Sequence, residues 1–256
     1  MGFKTPKTPK KMPKFVELWV YLSATPLFGL TATLVVYVLA QTVYARFQQA
    51  PWANPVLWTV LVLAAGLLLS GVPYPTYFAG AQFIHFLLGP AVVALAWPLW
   101  QRRAELRQRW GRLLLAALMG GFAASASALL LAWAFGLPPE VMLSLVPKSV
   151  TAPVAMGIAE KIGGIPALAA VFAVITGLVG ALAGKYLFDA LHIPTTPAGW
   201  AARGFALGTA AHGIGAARAL QVNADAGAYA ALALGMQVVL ASLLMPLLVP
   251  LLFKLF

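Results

Sequence analysis

Residues 145–164, LVPKSVTAPVAMGIAEKIGG, decide how the rest of the chain is interpreted. Apolar residues surround this stretch, yet it holds a lysine, two hydroxyl side chains and two prolines within seven residues. Pro147 and Pro153 each remove a backbone donor and disfavour a continuous helix. A polar, proline-containing break between apolar half-segments is typical of a discontinuous membrane helix, which places a polar site near the bilayer midplane. The polar residues between the prolines are Lys148, Ser149 and Thr151.

The composition predicts an all-α polytopic membrane protein. Of 256 residues, 62% are hydrophobic and 9% are charged, and the mean hydropathy is +0.89. The net charge of +11 lies in short cationic runs between apolar segments, as membrane topology requires, so nucleic acid is not an expected partner. The chain has no cysteine, which excludes thiol catalysis, disulfides and thiolate metal sites.

Apolar runs of about 20 residues predict about eight membrane segments, two of them discontinuous at prolines. The runs cover residues 27–45, 55–72, 77–100, 113–135, 139–162, 166–191, 204–222 and 226–253. Residues 1–25 are predicted to be a basic tail with an amphipathic lead-in, followed by a transmembrane domain over 26–256. The arginine-rich segment 102–112, RRAELRQRWGR, is predicted to be a cytoplasmic loop. Three crossings separate it from the lysine-rich tail, so either one segment does not fully span or the tail is translocated.

A faint internal repeat relates the two predicted breaks. His85 precedes Pro90 by five residues, as Lys148 precedes Pro153, and a half-helix of small apolar residues follows each proline. The repeat therefore places one break at Gly89 and Pro90 and another at Pro147 and Pro153. If the repeat is real, the starts of two half-helices face one site, as in transporters built from repeats.

Lys148 is the sharpest functional candidate, because a charge within a membrane segment costs about 2.5–3.5 kcal/mol on insertion scales. It either attracts an anion, with Ser149, Thr151 and the free N–H groups of the following half-helix as donors, or it serves structure alone. In the structural alternative it snorkels to the interface or pairs with Glu140 or Glu160.

A second constellation lies in residues 204–220, GFALGTAAHGIGAARAL. Thr209 and His212 are three residues apart, which predicts that they share one face of a continuous helix. His212 either donates to a carboxylate and relays a proton, or is a satisfied buried histidine between helices. Three further titratable residues are candidates for a proton relay or for supporting contacts: His85, Glu160 and Arg218.

Enzyme signatures are absent from the sequence. It has no HExxH, GxSxG, Walker or dinucleotide-binding motif, and its six acidic residues leave little for acid–base chemistry or hard metals. We therefore expect no enzyme activity, no cofactor and no metal.

Four motifs, in order, resemble the LrgB/CidB family, which includes YohK-like bacterial proteins and half of the plastid glycolate/glycerate translocator. A run like LPKSVTTPIA is matched by residues 146–155, an IGGIPA-type run by 162–167 and a GTASHAxGTA-type run by 208–217. A run like PAVVALAYPLY is matched by residues 90–100. Hydroxyl residues of the family pattern are replaced here at three positions: Ala152, Ala211 and Ala216. These departures bear on the substrate more than on the fold.

The resemblance implies a multi-pass protein of the bacterial inner membrane, often paired with a small LrgA/CidA-like membrane partner. It also implies one of two functions. The first is transport of small monocarboxylates such as glycolate, glycerate or pyruvate by alternating access, with substrate held by Lys148, Ser149, Thr151, Thr209 and His212. The second is a holin/antiholin-like modulator of murein hydrolase activity and cell lysis. The transporter hypothesis includes a coupled proton or cation and, by analogy with other transporters, a homodimer.

Overall fold

The structure is a computed structural model that describes residues 27–87, 90, 97, 100 and 103–253. Every regular element among these residues is helical, which confirms the predicted all-α class. The chain divides into two compact units, one comprising Met1–Arg46 and Pro55–Pro90 and the other Phe47–Asn54 and Ala91–Phe256.

The first unit contains three described helices, and the first of them packs against the other two. They are α1 Leu27–Arg46, α2 Pro55–Ser70 and α3 Tyr74–Phe86. Gly29 of α1 allows a close approach, because a Cβ there would overlap the backbone carbonyl of Tyr77 on α3. One turn further on, the Thr33 and Tyr77 hydroxyls lie 2.7 Å apart and form a hydrogen bond.

The second unit contains a short 3₁₀ helix, Pro51–Ala53, and the remaining helices that the structure describes. They are α4 Arg103–Ala134, α5 Pro139–Leu145, α6 Ala152–Ile162, α7 Pro166–Ala190, α8 Pro197–Val222 and α9 Ala224–Phe253. The longest shared interface is that between α8 and α9. Gly204 and Gly208 of α8 create it, because a Cβ at either would overlap a carbonyl oxygen of α9, that of Ala226 or Ala230.

Four of the described helices are long and apolar enough to cross a bilayer, as judged by length and composition. They are Leu27–Arg46, Arg107–Ala134, Pro166–Ala190 and Ala224–Leu251. The helix Pro55–Ser70 is apolar but shorter. At 1.5 Å per residue, its 16 residues reach about 24 Å, somewhat less than a typical hydrocarbon core. The predicted run 77–100 begins with α3 at Tyr74, and much of its second half lies outside the described residues.

The arginine-rich segment is helical, so its prediction as a loop over residues 102–112 is wrong. From Arg103 onwards it forms the first ten residues of α4. The segment contains no proline, and its Ala, Glu, Leu, Arg and Gln residues are strong helix formers, so a helix continues beyond the apolar span. Its placement on the cytoplasmic side stays a prediction.

Candidate functional site

The described part of the second unit contains two helix breaks. The first, predicted at Pro147 and Pro153, lies where the sequence predicts it, between the end of α5 at Leu145 and the start of α6 at Ala152. The six intervening residues are ordered by tight turns, in which Lys148 N donates to Leu145 O over 3.2 Å and Val150 N to Pro147 O over 3.2 Å. Pro147 is completely buried, and Pro153 occupies the first turn of α6. The prolines therefore end one half-helix and begin the next without costing a helical hydrogen bond.

Two serines hold this break against its neighbours. Ser125 of α4 donates from Oγ to the carbonyl oxygen of Val146 over 3.0 Å, satisfying a group that the break leaves outside any helix. Ser144 of α5 accepts from Ile165 N over 2.7 Å and donates to Glu140 O over 2.6 Å. The start of α7 is thus tied to α5, and α6 lies between these fixed points.

The N-terminus of α6 has free donors. Its N-cap residue, Thr151, makes no side-chain capping bond. The N–H groups of Ala152 and Val154 donate to no acceptor among the described residues, and the next N–H, that of Ala155, bonds Thr151 O over 2.8 Å. Unpaired N–H groups and the helix dipole together favour an anion at this point.

Lys148 lies in the break just before these donors and is half-buried. Its Nζ lies 3.5 Å from Oγ of the buried Ser149. Within the described part of the chain it forms no ion pair, and the side chains of Glu140 and Glu160 are both exposed. The pairing of Lys148 with either glutamate, one of the structural alternatives, is therefore wrong, because no ion pair joins Lys148 to either exposed acid.

A second break, at Ala211 and His212, interrupts α8. Ala211 has φ −120° and ψ 17°, and His212 has φ 41° and ψ −135°, a region that L-residues rarely occupy. The prediction that Thr209 and His212 share a face of one continuous helix is thus wrong. The sequence has no proline here, and the distorted residue His212 makes a tertiary hydrogen bond.

The second break contacts α7 through the side chain of His212. Its Nε2 donates to the Ala173 carbonyl oxygen of α7 over 2.8 Å, and the ring is buried. The carbonyl can only accept, so Nε2 carries a proton and a neutral ring leaves Nδ1 as an acceptor. Nδ1 has no hydrogen-bond partner among the residues that the structure describes. His212 is therefore oriented by the fold and retains one unused ring nitrogen.

The two breaks lie next to each other. A Cβ placed on Gly213, directly after His212, would lie 4.0 Å from the Cγ2 atom of Thr151 at the start of α6. Both breaks also contact the same part of α7. Ala173, whose carbonyl binds His212, belongs to the hydrophobic cluster that contains Val146 and Val150 of the first break.

Thr209 lies one turn before the second break and packs against α4. A Cβ on Gly120 would lie 2.8 Å from its methyl group. Its hydroxyl is buried and has no partner within the described part of the chain, which is uncommon for a polar group at this depth. No hydrogen bond joins the Thr209 hydroxyl to Lys148 or Thr151 among the described residues.

The remaining sequence candidates lie elsewhere. Glu160 is exposed on α6, and Arg218 lines a separate cavity, where its Nη2 donates to Gln49 O over 2.9 Å. His85 lies on α3, in the first unit. Gly89 lies outside the described residues, so the break at Gly89 and Pro90, and the internal repeat built on it, stay predictions.

Sequence reasoning missed the groups that hold the breaks together. The Ala173 carbonyl is a backbone atom in an ordinary apolar helix, so no residue type could signal it. Ser125 stands in a run of alanines and serines, AASASA, in which nothing distinguishes it from Ser127. Gly213 falls within a run already recognised as rich in small residues.

Taken together, the long apolar helices and the paired, buried helix breaks define a polytopic α-helical membrane protein with a polar centre inside its second unit. The chain belongs to the LrgB-like family, whose model matches residues 33–251. This confirms the resemblance drawn from the four sequence motifs.

Several relatives match over most of their length. The uncharacterized protein YxaC of Bacillus subtilis is 35% identical over 85% of this chain and 92% of its own. YwbG of the same organism is 37% identical over 78% of this chain and 86% of its own. The holin-like protein CidB of Staphylococcus aureus is 29% identical over 85% of this chain and 93% of its own. No solved structure matches the chain significantly.

Proposed function

We propose that this protein transports small monocarboxylates, 2-hydroxy or 2-keto acids such as glycolate, glycerate or pyruvate, across a bacterial inner membrane. The observation that carries the proposal is Lys148, a half-buried cation without an acidic partner in the described residues, next to the uncapped start of α6. A monocarboxylate supplies the one negative charge that this arrangement lacks. The bacterial relatives support the assignment to a bacterial membrane.

In this proposal, the substrate carboxylate lies between Lys148 and the N–H groups of Ala152 and Val154. Ser149 and Thr151 contribute hydroxyls on the same side of the break, and one carboxylate can accept from several of these donors at once. The order of strength follows from charge, because hydrogen bonds to an ionised donor are roughly twice as strong as neutral ones. Lys148 therefore supplies the largest share of affinity.

His212 gives the site its preference for an oxygen at the second carbon. Since Nε2 is held by Ala173 O, the neutral ring presents Nδ1 as an acceptor for a 2-hydroxyl. A protonated ring presents Nδ1 as a donor to a 2-keto oxygen and carries a proton with the substrate. Thr209, with its unsatisfied hydroxyl, is a further candidate ligand if α8 moves relative to α4 during transport.

Alternating access requires elements that change conformation around a fixed site. Two breaks that contact each other provide such elements, because each half-helix can tilt without losing an internal helical bond. A homodimer is part of this proposal by analogy with transporters that move one domain against another.

The alternative function is that of a holin/antiholin-like modulator of murein hydrolase activity and lysis, acting with a small LrgA/CidA-like membrane partner. The observation that favours it is the similarity to CidB, a holin-like protein, over 85% of this chain. Such a function needs no substrate site, so it predicts solute leakage that is independent of Lys148.

The test is uptake of radiolabelled pyruvate and glycolate into proteoliposomes, with and without a pH gradient, beside leakage of trapped sucrose. We expect saturable uptake without sucrose leakage, and its loss in Lys148→Met. The matched control is Lys161→Met, because Lys161 is an exposed lysine on α6, the half-helix that follows Lys148. Faster uptake under the gradient would support proton coupling.

Normal uptake by Lys148→Met would contradict the proposed site. Sucrose leakage that is equal in the wild type and both variants would contradict transport altogether and favour the lysis modulator.

A further inference from the structure

A second polar feature of this chain is a cavity of about 510 Å³ within the second unit. Its walls come from the C-terminal part of α7, both ends of α8 and the segment Phe47–Trp52. None of the five residues proposed to bind the transported acid lines it. The cavity is therefore distinct from the paired helix breaks.

The cavity wall is cationic. It contains Lys185, Arg203 and Arg218 but only one carboxylate, that of Asp189, so its lining carries a net charge of +2. Asp189 is shared by two of the cations, at 2.9 Å from Arg203 and 3.8 Å from Lys185. Two of the cations are deeply buried, with Arg203 7% and Arg218 6% exposed. Cations held at this depth in a hollow space favour an anionic occupant.

Both arginines are fixed in place by the backbone. Arg203 donates from Nε to Ile193 O over 3.1 Å, and Arg218 donates from Nη2 to Gln49 O over 2.9 Å. The Arg203 guanidinium also lies 5.5 Å from the ring centre of Trp200, which lines the same cavity. Guanidinium groups that are held in place in this way suit an anion with several oxygens, because phosphate and carboxylate oxygens match the guanidinium fork.

The uncharged stretch of α7 ends at the cavity. On α7, residues 166–184 carry no charge, and Lys185 is the first cation. These 19 residues span about 28 Å, which is close to the thickness of the hydrocarbon core. Trp52 and Trp200, which line the cavity, are of the type enriched where membrane meets water.

We propose that this cavity binds a phosphate-bearing anion. Its position at the end of the apolar span of α7 favours the headgroup of an anionic phospholipid as the source, since basic pockets between membrane helices bind such headgroups. A soluble phosphate ester has the same binding chemistry, so the experiment separates the two sources.

The experiment is calorimetric titration of the purified full chain in detergent with three probes. They are dihexanoylphosphatidylglycerol, dihexanoylphosphatidylcholine and glycerol 3-phosphate. The test variant is Lys185→Gln, whose exposed side chain is dispensable for packing, and the control is Lys161→Gln, an exposed lysine that does not line the cavity. Removing one cation near a phosphate is expected to weaken binding about five-fold.

Binding of the glycerol lipid, weaker binding of the choline lipid and the five-fold loss in Lys185→Gln alone would support a headgroup site. Binding of glycerol 3-phosphate but not of the lipids, with the same dependence on Lys185, would support the phosphate site and assign it a soluble ligand. If no probe binds, or if both lysine variants bind like the wild type, the proposal is overturned.

Discussion

The unusual backbone of His212 allows a prediction about stability. Which of two His212 variants is the more stable depends on whether α8 is broken at this residue. We compare His212→Gly with His212→Ala, because both lose the imidazole and its bond to Ala173 O, so their difference isolates the backbone. At φ 41° and ψ −135° an alanine carries strain of about 1–3 kcal/mol that glycine does not. Glycine costs about 0.5–1 kcal/mol more in chain entropy than alanine.

The balance makes His212→Gly the more stable variant by about 1 kcal/mol, or about 2–4 °C in melting temperature for a chain of this length. An uninterrupted helix predicts the reverse order, with glycine the less stable by about 0.5–1 kcal/mol. The assay is thermal unfolding in one detergent, followed by the fluorescence of the eight tryptophans.

The control is Ala206→Gly, at an exposed and regular position of the same helix, which should lower the melting temperature. If His212→Gly melts below His212→Ala, as Ala206→Gly melts below the wild type, α8 has no break at His212 and the reasoning fails.

Two further predictions test packing around the breaks. In this cysteine-free chain, the pair Thr151→Cys and Gly213→Cys should be cross-linked by a short bifunctional thiol reagent, because a Cβ at Gly213 lies 4.0 Å from Thr151 Cγ2, and excess pyruvate should slow it. Failure to cross-link in the folded protein would separate the two breaks. Gly208→Leu should abolish the monodisperse peak in fluorescence-detected size exclusion, since any Cβ there overlaps Ala230 O, whereas Gly235→Leu, with open space around it, should not. Similar profiles for both would contradict the α8–α9 contact.

The first break was predictable from the sequence because its signals are local. Pro147 and Pro153 restrict the backbone wherever they occur, and polar residues between them have few explanations inside an apolar run. The absence of an acidic partner for Lys148 was not predictable. Glu140 and Glu160 are both close to Lys148 in the sequence, and only the fold shows that both are exposed and that neither pairs with Lys148.

The second break was not predictable, because no local signal marks it. A run of Ala and Gly with one histidine has the pattern of a closely packed helix, and the bond that His212 makes is to a carbonyl of α7. The prediction of a loop for the arginine-rich segment was also wrong. Positive charge marks where a span meets water, but it does not end a helix composed of strong helix formers.

The central claim is that Lys148 and the start of α6 bind a monocarboxylate, and equilibrium binding tests it without requiring a transport cycle. The measurement is saturation binding of radiolabelled pyruvate to the purified wild type, Lys148→Met and Lys161→Met, with unlabelled glycolate as competitor. The account predicts saturable binding that glycolate displaces in the wild type and Lys161→Met, and none in Lys148→Met. Equal binding by all three proteins, or by none of them, would contradict it.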